Sequence, residues 1–196
     1  LYILKLEHIP EGNSVWPAFW MTSNLDPEAV PKWACGGEKD IIEGVNSTAE
    51  NSNNQNTTSL HVSPPDTDSS NVCTQSGNGV TGDCGFAQGT GGTCGCDGNS
   101  TCPFDGCGIM YDSQVSFGHG FNGNGGGYFA CRVQDTSKVK VWFFTNSAAP
   151  SDIDSNNPNP ENWDSVATQF VEFSPCATDQ FKNLQIIFNT TLCGDW

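Results

Sequence analysis

Helical periodicity is almost missing from this chain. Short apolar runs alternate with stretches rich in Gly, Pro, Asn and Ser. That pattern belongs to an antiparallel all-β protein, where each strand buries a face and each reversal needs turn-forming residues. Strands are predicted at 1–8, 14–21, 38–46, 58–62, 127–134, 138–145, 168–173 and 183–193. The clearest are VKVWFFT at 139–145 and LQIIFNTTL at 184–192, rich in β-branched and aromatic residues and bounded by Asn, Lys and Gly. Two long loops are predicted, 63–126 and 148–164, of a length that is functional or disordered in compact domains. At 196 residues the chain suits one domain with a real core. A β-sandwich with decorated loops fits best.

Charge narrows the partners. The chain holds 22 acidic and 7 basic residues, a net charge of -15. Phosphate backbones need Lys and Arg, so nucleic acid is excluded, and anionic membranes are disfavoured for the same reason. No apolar run reaches the roughly 18 residues of a membrane helix. A neutral or cationic partner is compatible, and so is a plain solvated acidic surface that keeps the protein soluble.

Ten cysteines indicate an oxidising compartment. Six of them fall between 73 and 107, in a stretch too poor in apolar side chains to order itself by burial. Disulfides would restrict its unfolded ensemble instead. A zinc site is the weaker reading, because no C-x2-C pair occurs. Sequons at Asn46, Asn56, Asn99 and Asn189 add to the expectation of a secreted, extracellular glycoprotein. The chain opens at Leu1 inside an apolar run with no visible signal peptide, so a domain lacking strands at both ends is expected. The stretch GHGFNGNGGG at 118–127 lacks the Lys-Ser/Thr of a phosphate loop. It is read as a flexible turn entering the strand YFACRV, with His119 exposed in it.

The most informative segment is GGEKDIIEG at 36–44, with Glu38, Asp40 and Glu43 inside six residues. Glycines bound the run too tightly for a helix. Read as a strand, Glu38 and Asp40 share a face by period two, and Glu43 points the other way. One extra residue near Ile41–Ile42, a β-bulge, returns all three to a common face. Crowded carboxylates cannot all ionise together, so one is kept protonated while another is charged. That division of labour is what a two-carboxylate glycosidase uses. A calcium site or a solvated acidic strand are the rival readings. Tryptophans stand nearby. SVWPAFWM at 14–21 places Trp16, Ala18 and Trp20 on one face, and Trp33 precedes Glu38 by five residues. Indole faces suit sugar rings, although Trp16 is equally well read as core.

SVWPAFWM followed by GGEKDIIEGVN resembles glycoside hydrolase family 16, above all its fungal laminarinase-like endo-1,3(4)-β-glucanases. SLH at 59–61, FGHGFNGNGGGYFA at 117–130, VKVWFFT and NTTLCGDW at 189–196 match in order, so the resemblance covers nearly all the chain. It implies a concanavalin-like β-jelly-roll sandwich with a concave glucan cleft and long disulfide-held loops. It implies a single truncated domain over 1–196, acting as a monomer. By the same resemblance Glu38 is the nucleophile, Glu43 the acid/base and Asp40 the residue that positions them. Trp20, Trp33, His61 and Trp196 match glucan-binding positions, and the cysteine-rich insert and the 148–164 loop would sit at the cleft rim. The expected activity is retaining hydrolysis of β-1,3- or mixed 1,3-1,4-glucans, chemistry that needs no metal or cofactor. A non-catalytic glucan-binding module and a cell-wall transglycosylase on the same fold are the alternatives. Two positions depart from the family pattern. Asn146 replaces an Arg, and Lys39 replaces an aliphatic residue and is turned by parity toward the inter-sheet core, where it must snorkel, pair or shift its pKa.

Overall fold

The computed structural model describes residues 1–23, 37–51, 53–61, 74–78, 80–81, 107–134, 138–174 and 183–196. Within them, two antiparallel sheets pack face to face. The first runs in the order β1 (Tyr2–Leu6), β8 (Gly127–Gln134), β9 (Lys138–Thr145), β10 (Gln169–Ser174), β5 (Thr74–Asn78). The second runs β11 (Leu184–Leu192), β2 (Val15–Ser23), β3 (Glu38–Glu43), β4 (Thr57–His61), β7 (Cys107–Tyr111), β6 (Val80–Thr81). All eight predicted strands are present, with ends adjusted by a few residues.

Alternation along the strands builds the core. Phe129, Cys131, Val139, Val141, Phe143, Val171 and Phe173 point inward from the first sheet. Phe19, Met21, Ile41, Ile42, Leu60, Ile109 and Tyr111 meet them from the second. Burying each large apolar side chain of this kind stabilises the fold by about 1.5–3 kcal/mol. The thiol of Cys131, sealed in this core, is pushed up to about 11 by burial. Cys131 and the exposed Cys193 carry no disulfide. The side chains of the other eight cysteines, and so the loop disulfides expected of them, lie outside the described residues.

The segment 63–126 is not one loop. It supplies β5 to the edge of the first sheet and β6 and β7 to the second. It also carries a short helix, α1 (Gly118–Gly123), where a flexible turn was expected. Phe121 of α1 is fully buried, its ring 6.1 Å from that of Phe129 and 6.2 Å from that of Phe143. Gly126 then brings the chain back with φ +86, and a Cβ there would stand 2.2 Å from the Leu6 carbonyl oxygen. Only glycine allows β8 to close onto β1 so tightly. His119 is exposed as expected, and its Nδ1 lies 3.2 Å from Glu11.

The 148–164 segment also differs from expectation. It covers the outer face of the first sheet, on the side away from the second, and not a rim beside the acids. That face is itself apolar, with Tyr128, Ala130, Trp142 and Phe144 buried under Ile153 and Trp163. Its polar residues bind indoles and a phenol. Asp164 accepts from Trp142 Nε1 at 2.7 Å, Asp152 from Trp163 Nε1 at 3.1 Å, and Asp154 from the Tyr128 hydroxyl at 2.7 Å.

Candidate active site

Strand register sets the site. Thr22, Glu38 and His61 form one row across β2, β3 and β4. Trp20, Asp40 and Ser59 form the next, and Ala18, Glu43 and Thr57 the third. Between the first two rows Met21, Lys39 and Leu60 face inward. The register slips between Asp40 and Glu43, and both Ile41 and Ile42 join the core. This is the anticipated bulge. It leaves Glu43 on the outer face with Glu38 and Asp40.

Position then dictates charge. Glu43 rises to about 7, first because burial strips its solvation, then because Asp40 and Glu38 crowd it with like charge. Ser59 Oγ donates to Glu43 Oε2 at 3.3 Å. Asp40, almost wholly buried, is also pushed up by desolvation, against the pull of His61. His61 Nε2 lies 3.3 Å from Asp40 Oδ2 and 3.9 Å from Glu38 Oε1. Burial alone would lower the imidazole, but the hydrogen bond to Asp40 and the charges of all three acids outweigh it, and its pKa is raised. Glu38, Asp40 and His61 hold one donor atom each within 4.8 Å of one another, near enough for a metal ion. The imidazole's pairing with the carboxylates already accounts for that closeness.

Trp20 sits beside Asp40 in register, and its Nε1 donates to Asn189 Oδ1 on β11 at 2.7 Å. Trp16 is half-buried and is not part of the core. Its ring meets that of Trp196 edge-on at 5.3 Å, and Trp196 is 55% exposed. Trp33 lies outside the described residues. Lys39 is 1% exposed, and burial lowers its ammonium to about 8, with Cys131 acting in the other direction. The parity argument for Lys39 thus holds. Asn56 does not behave as a presented sequon, because it is fully buried with its amide engaged at both ends. Ser59, Asn56 and Asn189 were not singled out as site residues. Ser59 had one available signal, its place two residues before His61 and so on the same face.

Comparison with known proteins agrees with this geometry. A family model described as the XgeA-like catalytic GH16 domain matches residues 1–196. The chain is 35% identical to a probable glycosidase of Schizosaccharomyces pombe, covering 100% of this chain and 41% of that protein. It is 34% identical to a probable endo-1,3(4)-β-glucanase of Aspergillus niger, with 100% and 22% covered. It therefore spans less than half the length of these curated relatives. Among solved structures, laminarinase 16A of Phanerochaete chrysosporium with β-glucans in its donor and acceptor sites superposes with a TM-score of 0.66 at 32% identity, over 99% of this chain and 58% of that one. An elongating family 16 β-1,3-glucosyltransferase gives 0.65 at 29%, over 99% and 56%. Acids, tryptophans, sheet order and these matches agree: the chain belongs to glycoside hydrolase family 16.

Proposed function

We propose that this chain carries the catalytic centre of a secreted, monomeric, retaining endo-β-glucanase acting on β-1,3- or mixed 1,3-1,4-glucans. Glu38, as the carboxylate, attacks the anomeric carbon while protonated Glu43 gives its proton to the leaving oxygen. The resulting glycosyl-enzyme ester is broken by water that Glu43, now the base, deprotonates. Asp40 and His61 tune the pair from the same face. Trp20 and Trp196, joined by Trp33 on the strength of the family resemblance, supply stacking platforms for the glucan. One observation carries the reading: the slip in β3 brings Glu38, Asp40 and Glu43 to one face beside Trp20, where burial and like charge push Glu43 up to about 7, as suits a general acid.

The test is Glu38→Gln in the full-length protein. Laminarin hydrolysis, measured as reducing ends, should disappear while glucan binding persists. Undiminished turnover would remove Glu38 from the role of nucleophile. A second reading, transglycosylation, is favoured by the similarity to the elongating glucosyltransferase. Water and sugar compete for the same ester intermediate, so products longer than the substrate would select this reading over hydrolysis.

A further inference from the structure

The bulge in β3 leaves one backbone carbonyl in difficulty. Asp40 pairs with Trp20, Ile42 with Phe19 and Glu43 with Ala18, so Ile41 is the extra residue without a partner on β2. Ile41 is fully buried, and a carbonyl there that found no donor would be costly. Two side chains at the start of β4 meet it. Asn56 Nδ2 donates to the Ile41 oxygen at 3.0 Å, and Thr58 Oγ1 donates to the same oxygen at 3.1 Å. The other end of the Asn56 amide accepts from the Glu43 N–H at 3.1 Å. One planar amide thus spans the irregularity, donor on the extra residue and acceptor on the acid that follows it.

Asn56 is itself held from several sides. Its N–H donates to Ser116 Oγ at 2.9 Å, and its carbonyl accepts from the Tyr111 N–H at 2.9 Å. Thr58 Oγ1 lies 3.1 Å from the Tyr111 hydroxyl. Asn56 is 0% exposed and Thr58 1%, so both residues sit behind the face that carries the acids. They also explain the motif Asn56-Thr57-Thr58 without a glycan: the amide and the hydroxyl of that sequon are consumed by the strand they brace.

We propose that Asn56, seconded by Thr58, is the positioning residue of this site, clamping the bulge at Ile41 so that Glu43 faces the same side as Glu38 and Asp40. This rests on Glu43 being the acid/base, and the tests separate the two ideas. Thr58→Val is nearly isosteric and removes one donor to the Ile41 carbonyl. Asn56→Asp keeps the acceptor for the Glu43 N–H and sets an oxygen against the Ile41 oxygen. In variants that keep the wild-type circular dichroism and a cooperative melt, kcat on laminarin should fall about 10-fold for Thr58→Val and about 100-fold for Asn56→Asp. KM should change less than about twofold, since a misplacement near 1 Å costs rate on that order. The alkaline limb of kcat/KM should move toward the ordinary glutamate range as the carboxyl leaves its buried seat. An unchanged kcat and an unchanged limb in folded Thr58→Val would overturn the proposal, whatever becomes of Asn56→Asp. Should the wild-type protein bind glucan without cleaving it, the acid/base reading fails alone. Carbon-13 titration of the Glu43 carboxyl in wild type and Thr58→Val then decides: a lowered midpoint supports the clamp, and an identical midpoint overturns it.

Discussion

Glu43 shows how much chemistry one side chain inherits from its seat. Its proton is held to about pH 7 by burial first and by Asp40 second. Two consequences follow, and activity and stability both fall as pH rises. In its proposed role as the acid it must be protonated, so kcat/KM should decline as pH rises through about 7. Its folded pKa also lies above the unfolded value of 4.5. The stability it contributes is therefore intact below about pH 4.5 and is lost as pH rises through 7. Glu43→Gln is neutral at every pH. It should abolish hydrolysis yet raise unfolding free energy at pH 8 by roughly 1–3 kcal/mol, with no gain at pH 4. Urea denaturation at the two pH values measures the difference. A gain of equal size at both would mean that the ionised carboxylate carries no such strain.

At the scale of elements, strands carrying an apolar run were legible and strands without one were hidden. VKVWFFT and YFACRV stand out because their inward residues fill the core while Tyr128, Ala130, Trp142 and Phe144 on their other face are buried as well. β5, with the sequence TQSGN, is an edge strand that joins β10 through its backbone, so it leaves no apolar rhythm to read. The helix α1 is six residues rich in glycine, below any propensity signal, and depends on buried Phe121. In the site, period-two counting with one slip was enough to gather Glu38, Asp40 and Glu43. Asn56 escaped because its partners stand 13 and 15 residues away and its motif has a more familiar use. The 148–164 segment misled because its Asp and Asn residues look solvated, whereas they bind the indoles of Trp142 and Trp163. Trp163→Ala should cost about 3–5 kcal/mol of stability by emptying that outer cluster. KM for laminarin should stay unchanged, because the segment lies across the sandwich from the acids. A raised KM with stability intact would put it back beside the substrate.

The whole molecule has two chemically distinct sides. The outer face of the second sheet gathers Glu38, Asp40 and Glu43 beside Trp20. The outer face of the first gathers Lys5, Arg132, Lys138 and Lys140, each set against carboxylates such as Asp154, Glu161, Asp164 and Glu172. Opposite charges interspersed on that side soften the self-repulsion that a net charge of -15 imposes. Lys39 stands apart, its amine sealed between the layers. The lysine amines open to a reagent are thus, among the described residues, Lys5 and Lys138 on the first sheet. Tethering to a resin through Lys5 or Lys138 would therefore turn the acid-bearing side to the bulk solution, with the bond to the support behind it.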